Sequence, residues 1–153
     1  MKYLFIDRRN IQRIDENINW KFHSPVKDPR PVLEPEMPWE GERLHIWSPP
    51  VFCREKGKWQ MWYIGGEELF PLYAESEDGL NWHRPDLGRL RWKENCKNNI
   101  VNLGFTGSGK ENRIVLLRDE EESDPSKRYK GLTRISGHLI PFCMVWFNHI
   151  NSL

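Results

Sequence analysis

The chain has 153 residues, which is enough for one ordinary domain or part of one, since domains run to roughly 100 to 150 residues. Lysine and arginine number 23 against 22 for aspartate and glutamate, and this balance excludes a broad field that would steer the chain to nucleic acid or to an anionic membrane. Eight tryptophans together with 11 glycines and 11 prolines disfavour long helices and predict an all-β fold of short strands joined by turns.

The N-terminal part predicts a lead-in and a strap rather than a sheet. Isoleucines in residues 4–20 have a spacing that fits either a weak helix or a strand, a loop and a strand. Residues 23–38 are rich in proline, which favours an extended path over the surface. The apolar run at the N-terminus is shorter than the roughly 7 to 15 residues of a secretory signal. We therefore expect a cytoplasmic chain.

Residues 44–76 predict three antiparallel strands in a meander. Two β-rich runs, HIWSPPVFCR and WQMWYIGG, flank a short polar turn that contains Gly57. Alternation is weak in the second run, which is typical of a strand buried on both faces. A third run ends at Ser76 in a tight turn through Asp78 and Gly79, and we expect the Asp78 carboxylate to accept backbone N–H groups there. That structural use is favoured over a catalytic one.

A second cycle of strands is predicted to begin near Asn99. It passes through the glycine-rich residues 104–110 and resumes at residues 113–117 and 129–135, and a last strand lies within residues 136–153. The loop at 104–110 matches GxxxxGK, but Glu111 stands where a phosphate-binding loop has Ser or Thr, and a strand follows instead of a helix. A hairpin loop is therefore favoured over nucleotide binding.

The cysteines and histidines indicate neither a disulfide framework nor a metal site. Three widely spaced cysteines show no CxxC pair, so free buried thiols are expected. The five histidines have no paired spacing of the kind that holds zinc. We expect no metal and no cofactor. For most of the tryptophans a place in the core is favoured over sugar stacking.

An ordered set of motifs resembles the five-bladed propeller glycoside hydrolases of the invertase and arabinanase kind, especially a group with a glycosyl hydrolase family 32 N-terminal-like domain. The motifs are LFID at the start, PVL and PWE in the strap, KWQMWY, YAESEDGLNW, NNIV and DPSKRYKG. The resemblance implies a partial five-bladed β-propeller of antiparallel meander blades, with a lead-in over residues 1–38 and about two to three blades over residues 39–153. Because the ring is incomplete, self-association through open blade edges is expected.

The resemblance implies a sugar ligand and paired carboxylates in a central funnel. Glu40 and Asp119 are the predicted catalytic carboxylates, and Trp39 is the predicted stacking platform. For Glu40, a surface hydrogen bond is the favoured alternative. Relatives have Asp-Pro where this chain has Ser48-Pro49, and a hydroxyl cannot replace a carboxylate base. An acid from a third blade would lie beyond the end of this chain.

Two other hypotheses are open at this point. The surplus of aromatic residues and the missing Asp-Pro favour a carbohydrate-binding module without catalysis. An open ring and the unusual C-terminal sequence favour a fragment that has no independent role. The sequence identifies neither the sugar nor the stereochemical course.

Overall fold

The computed structural model describes Arg13, Lys21 and residues 23–67, 69–101, 114–135 and 138–143. The chain divides into two compact units, Met1–Arg30 and Pro31–Leu153, and the strands among the described residues belong to the second. Residues 31–38, which the sequence grouped with the lead-in, thus cluster with the sheets. In the first unit, residues 23–30 follow an irregular path. Most of residues 4–20 and all of the GxxxxGK loop lie outside the described residues.

The first sheet is the meander that the sequence predicted. Its strands are β1 (Leu44–His45), β2 (Val51–Cys53), β3 (Lys58–Gly65) and β4 (Phe70–Ser76), and all pairs are antiparallel. Gly57 has a φ of +63° in the turn between β2 and β3, a left-handed conformation that glycine adopts without strain.

One edge strand of this sheet is broken. β1 pairs with the end of β3 at Ile64 and Gly65, and β2 pairs with its beginning at residues 58–60. Since β4 covers the opposite edge of β3 from Trp59 to Gly65, β1 and β2 share a single edge. Residues 46–50 interrupt it and include Pro49 and Pro50, which have no N–H group to donate to a ladder.

Residues 99–101 complete the first sheet on its other side. The N–H of Tyr73 donates to the carbonyl of Asn99 at 3.1 Å, and the N–H of Val101 donates to the carbonyl of Pro71 at 2.8 Å. The prediction that a second cycle begins here is therefore wrong. Asn99 fixes the segment because its side-chain amide donates to the Tyr73 carbonyl at 2.7 Å.

The second sheet contains β5 (Ile114–Arg118), β6 (Tyr129–Ile135) and β7 (His138–Cys143), again antiparallel. These strands confirm the predictions for residues 113–117, 129–135 and part of the C-terminal segment. The connection between β5 and β6 contains a single 3-10 turn, Pro125–Lys127, which the Asp124 side chain caps by accepting the N–H of Ser126 at 2.9 Å.

Two apolar clusters cover the two faces of the first sheet. One lies between the sheets and contains Trp62, Tyr73, Val101, Leu116 and Tyr129. The other packs against residues 31–38 of the proline-rich strap and the loop that follows β4, and it contains Trp39, Met61, Tyr63, Leu72, Ala74 and Ile100. Residues 60–65 of β3 are all buried, which confirms the prediction of a strand buried on both faces.

The predicted all-β class is confirmed, because the described residues form antiparallel sheets and contain no α-helix. No described helix could cross a membrane. Cys53 is buried and Cys96 is exposed, and both are free thiols. The prediction of buried thiols is thus wrong for Cys96, which lies in the loop after β4 rather than in a strand. The propeller arrangement stays a prediction.

Candidate functional site

Glu40 is a fully buried carboxylate with both oxygens bonded. Its Oε2 accepts the backbone N–H groups of Glu36 and Met37 at 2.8 and 3.0 Å, because the strap turns tightly before it. Its Oε1 accepts the Tyr63 hydroxyl at 2.5 Å and the Arg84 Nε at 2.6 Å. The carboxylate therefore joins the strap, β3 and the loop after β4.

Arg84 is the charge partner of Glu40 and holds the strap at two more points. Its Nη1 lies 2.8 Å from the Glu36 carboxylate, and its Nη2 donates to the Glu34 carbonyl at 2.5 Å. Burial by itself would raise the pKa of Glu40, but the hydrogen bonds from Arg84, Glu36, Tyr63 and Met37 outweigh it and lower that pKa. Glu40 is thus held as a charged clamp, and its catalytic role stays a prediction.

Trp39, the predicted stacking platform, is only 8% exposed. Its indole N–H donates to the Asn99 side-chain oxygen at 2.7 Å, and its ring meets Trp92 edge to face at a centroid distance of 5.9 Å. These contacts place the ring in the apolar cluster against the strap. Little of the ring is left for a sugar.

Asp119 follows β5 and is partly exposed. Its Oδ2 pairs with Lys130 at 2.6 Å, and its Oδ1 accepts the N–H of Glu121 at 3.1 Å. The bond from Lys130 lowers the pKa of Asp119, and the backbone N–H of Glu121 lowers it further. The carboxylate is therefore an ionised partner of Lys130, and its catalytic role stays a prediction.

The structure does not bring Glu40 and Asp119 together. Glu40 bonds to Tyr63, on the face of the first sheet that the strap covers. The second sheet, which carries Asp119, packs on the opposite face through Trp62. A glycosidase that acts through two carboxylates needs them about 5 to 9.5 Å apart on either side of one bond. With a sheet between them, these two do not form such a pair.

A general acid that works near neutral pH needs a carboxyl group with a raised pKa. Each carboxyl group with a shifted pKa has it lowered, namely Glu40, Asp78, Asp119, Glu122 and Asp124. Hydrogen bonds to the charged form are the common cause. These five carboxylates are thus suited to accept hydrogen bonds rather than to protonate a leaving group.

The break between β1 and β2 exposes a surface that the sequence did not single out. Ile46, Trp47 and Phe52 are 49%, 46% and 42% exposed, and we call these three residues the strand-break surface. Ser48, between them, is buried, and its hydroxyl donates to the Leu116 carbonyl at 2.7 Å and accepts the Leu116 N–H at 2.9 Å. The Pro49-Pro50 pair was the sequence signal for this surface. The two prolines interrupt the edge strand, and side chains next to the interruption stay exposed.

A polar cleft of about 350 Å³ lies at the end of the first sheet. Its lining residues are Lys58, Glu75, Ser76, Glu77, Asp78, Asn81 and His83. Asp78 accepts the N–H groups of Leu80 and Asn81 at 2.8 and 2.7 Å, which confirms its predicted structural use in the turn. The hydrogen bonds lower the pKa of Asp78, so it stays ionised.

A buried chain of hydrogen bonds connects the second sheet to this cleft. The Tyr129 hydroxyl donates to the Gln60 side-chain oxygen at 2.6 Å, and the Gln60 amide donates to the Tyr73 hydroxyl at 2.6 Å. The Tyr73 hydroxyl donates to Glu75 Oε1 at 2.8 Å. Every donor therefore points towards the cleft, where the chain ends on a carboxylate.

Comparison with protein-family models, with curated proteins and with solved structures gives no match to this chain. The described residues contain no cluster of three or more His, Cys, Asp or Glu side chains that could hold a metal ion.

Proposed function

We propose that this chain is part of a glycoside hydrolase-like β-propeller and that its described part binds a neutral carbohydrate without supplying the acid and base of hydrolysis. The observation that carries the binding proposal is Trp47, which is 46% exposed beside a broken edge strand. An indole face is apolar and polarisable, and it packs on the C–H groups of a sugar ring. In this proposal Trp47 takes the stacking role that was predicted for Trp39.

The propeller part of the proposal is supported by the way the two sheets meet. Propeller blades are sheets of four antiparallel strands around a central channel. The first sheet has four rows, counted as the broken edge strand, β3, β4 and residues 99–101. The second sheet contacts it through Ser48 in the broken strand and Leu116 in β5, its own first strand.

The preference for binding over hydrolysis is supported by the state of the carboxylates. Glu40 is enclosed by its own donors and Asp119 is paired with Lys130 on the other side of the first sheet. The formal net charge of +1 also gives no reason for a charged ligand. A neutral sugar held by stacking and hydrogen bonds fits both observations.

Titration of the full chain with neutral mono- and oligosaccharides, followed by tryptophan fluorescence and calorimetry, tests the proposal. We expect saturable binding to at least one sugar and a loss of about tenfold or more in affinity for Trp47→Ala, since taking a large apolar side chain out of water contributes about 1.5 to 3 kcal/mol. Leu80→Ala is the control because Leu80 is 62% exposed and lies outside the strand-break surface. Flat responses to all the sugars would contradict the proposal.

A further inference from the structure

We propose that the polar cleft at the end of the first sheet is a second carbohydrate site, which binds the hydroxyl groups of a monosaccharide through Glu75, Lys58 and His83. The inference rests on the proposed function for its ligand class, but it concerns a different place in the molecule. The cleft is separate from the strand-break surface, since its lining contains none of Ile46, Trp47 and Phe52.

The lining supplies both kinds of hydrogen-bonding group that a sugar hydroxyl uses. Each hydroxyl can donate one hydrogen bond and accept others, so it is best held between an acceptor and a donor. Glu75 and Glu77 provide carboxylate acceptors, Lys58 provides an ammonium donor, and Asn81 and His83 provide groups of both kinds. A volume of about 350 Å³ also falls within the range of roughly 300 to 1,000 Å³ found for small-molecule sites.

Glu75 is held in place before any ligand arrives. Its side chain is 12% exposed, and Oε1 accepts the Tyr73 hydroxyl at the end of the buried chain. The backbone of Glu75 exchanges two hydrogen bonds with His83, at 2.9 and 2.7 Å, which makes these two lining residues direct neighbours in an antiparallel bridge. An acceptor fixed in this way loses little conformational entropy on binding.

The charges around Glu75 favour a neutral ligand over an ionic one. Lys56 and Lys58 lie 3.6 and 3.4 Å from its two oxygens, so an ammonium ligand would compete with two lysines. A phosphate or carboxylate ligand would face the carboxylates of Glu77 and Asp78. A sugar hydroxyl can accept from Lys58 and donate to Glu75 without displacing either charge.

Asp78 is left out of the proposed contacts because four hydrogen bonds from its own turn already occupy its two oxygens. Its oxygens accept from Leu80, from Asn81 and from the Ser76 hydroxyl within the turn. The turn thus forms the wall of the cleft, and recognition falls to Glu75, Lys58 and His83.

NMR of the isotopically labelled full chain, titrated separately with glucose, galactose, xylose, arabinose and fructose, tests the inference. We expect at least one of these sugars to shift the backbone amide signals of Glu75, Asn81 and His83 saturably. Glu75→Gln should weaken this binding about tenfold, the size expected for a hydrogen bond to a charged group. Glu42→Gln, which removes an exposed carboxylate outside the cleft, should leave the affinity unchanged. If Glu75→Gln alters the tryptophan indole spectrum and therefore the packing, Lys58→Gln is the replacement variant, with about a tenfold loss expected because the lysine is also a charged partner.

The two sites have separate signals, so the two proposals can fail separately. Shifts at the Trp47 indole with unmoved cleft amides would overturn the second site and leave the proposed function standing. Shifts at the cleft that Glu75→Gln or Lys58→Gln weakens, with a silent Trp47, would support the cleft and overturn the strand-break surface. If no sugar moves either set of signals, both proposals are overturned. Equal affinity in both cleft variants and the parent chain would overturn the cleft assignment.

Discussion

The first and second sheets are built from similar strands but differ in how their faces are covered. In the first sheet, the strap and the loop after β4 cover one face, and the second sheet covers the other. In the second sheet, Leu116 and Tyr129 are buried against the first, whereas Val115, Leu117 and Leu132 are 45%, 54% and 43% exposed. Val115 and Leu132 are cross-strand partners, so the exposed residues share a face.

The two sheets also differ in the buried polar contacts that hold them in place. The first sheet has a buried polar clamp on each side, Glu40 with Arg84 at the strap and Gln60 with two tyrosine hydroxyls towards the second sheet. The second sheet shares the latter, together with the Ser48 bridge and an ion pair at 2.9 Å between Arg118 of β5 and Glu55 in the turn between β2 and β3. We therefore expect damage at the strap clamp to affect the first sheet most, and damage at Gln60 to release the second.

The largest effect is expected from Glu40→Ala. It leaves the Arg84 side chain, which is 5% exposed, without its buried partner and should reduce the free energy of unfolding by about 3 to 5 kcal/mol. Urea denaturation followed by near-UV circular dichroism measures the loss. Glu36→Ala is the control, because it removes the 64% exposed partner of the same arginine and should cost less than about 1 kcal/mol. Equal losses in the two variants would contradict the clamp.

Removing one tyrosine hydroxyl from each face of the first sheet should show which part of the molecule each hydroxyl stabilises. Tyr129→Phe leaves the Gln60 oxygen without its 2.6 Å donor, and Tyr63→Phe removes a 2.5 Å donor from Glu40. Each should cost about 1 to 3 kcal/mol. In hydrogen exchange, Tyr129→Phe should weaken protection in β5 and β6, and Tyr63→Phe should weaken it around Met37. The same exchange pattern in both variants would show that the two faces are not independent.

Acid should weaken the strap clamp through Glu40. Its pKa in the folded chain is lowered from the ordinary value of 4.5, so the stabilisation is fully present above about pH 4.5. It is lost as the pH falls through the lowered pKa of the folded state. Between pH 5.5 and 3, the parent chain should therefore lose more stability than Glu40→Gln, which has no carboxylate to titrate. Parallel pH profiles from denaturant melts would contradict this.

The smallest effect on stability is expected at the exposed face of the second sheet. The double variant Val115→Ser and Leu132→Ser should change the free energy of unfolding by less than about 0.5 kcal/mol per site, as is usual for surface positions. It should nevertheless reduce self-association in sedimentation velocity, because apolar sheet surface is removed from water when copies associate. Leu80→Ser, in the turn after β4, should leave association unchanged. A parent chain that is already monomeric in sedimentation velocity would contradict this prediction.

The strands and the Asp78 turn could be predicted because their signals are local. The continuous apolar runs in β3 and β5 and the Asp-Gly pair each act within a few residues. The role of Glu40 could not be predicted in this way, since Arg84 is 44 residues further along the chain. The same holds for Asn99, which sequence spacing assigned to a new cycle and which the amide contact with Tyr73 assigns to the old one.

The Ser48 bridge has a consequence for how this chain can meet other strands. β5 pairs with β6 on one edge, and on the other edge the N–H and the carbonyl of Leu116 both bond to one serine hydroxyl. An incoming strand needs such backbone groups as its template. A side chain from the neighbouring sheet thus occupies the middle of this edge, and β-strand addition at β5 would first have to pull Ser48 away.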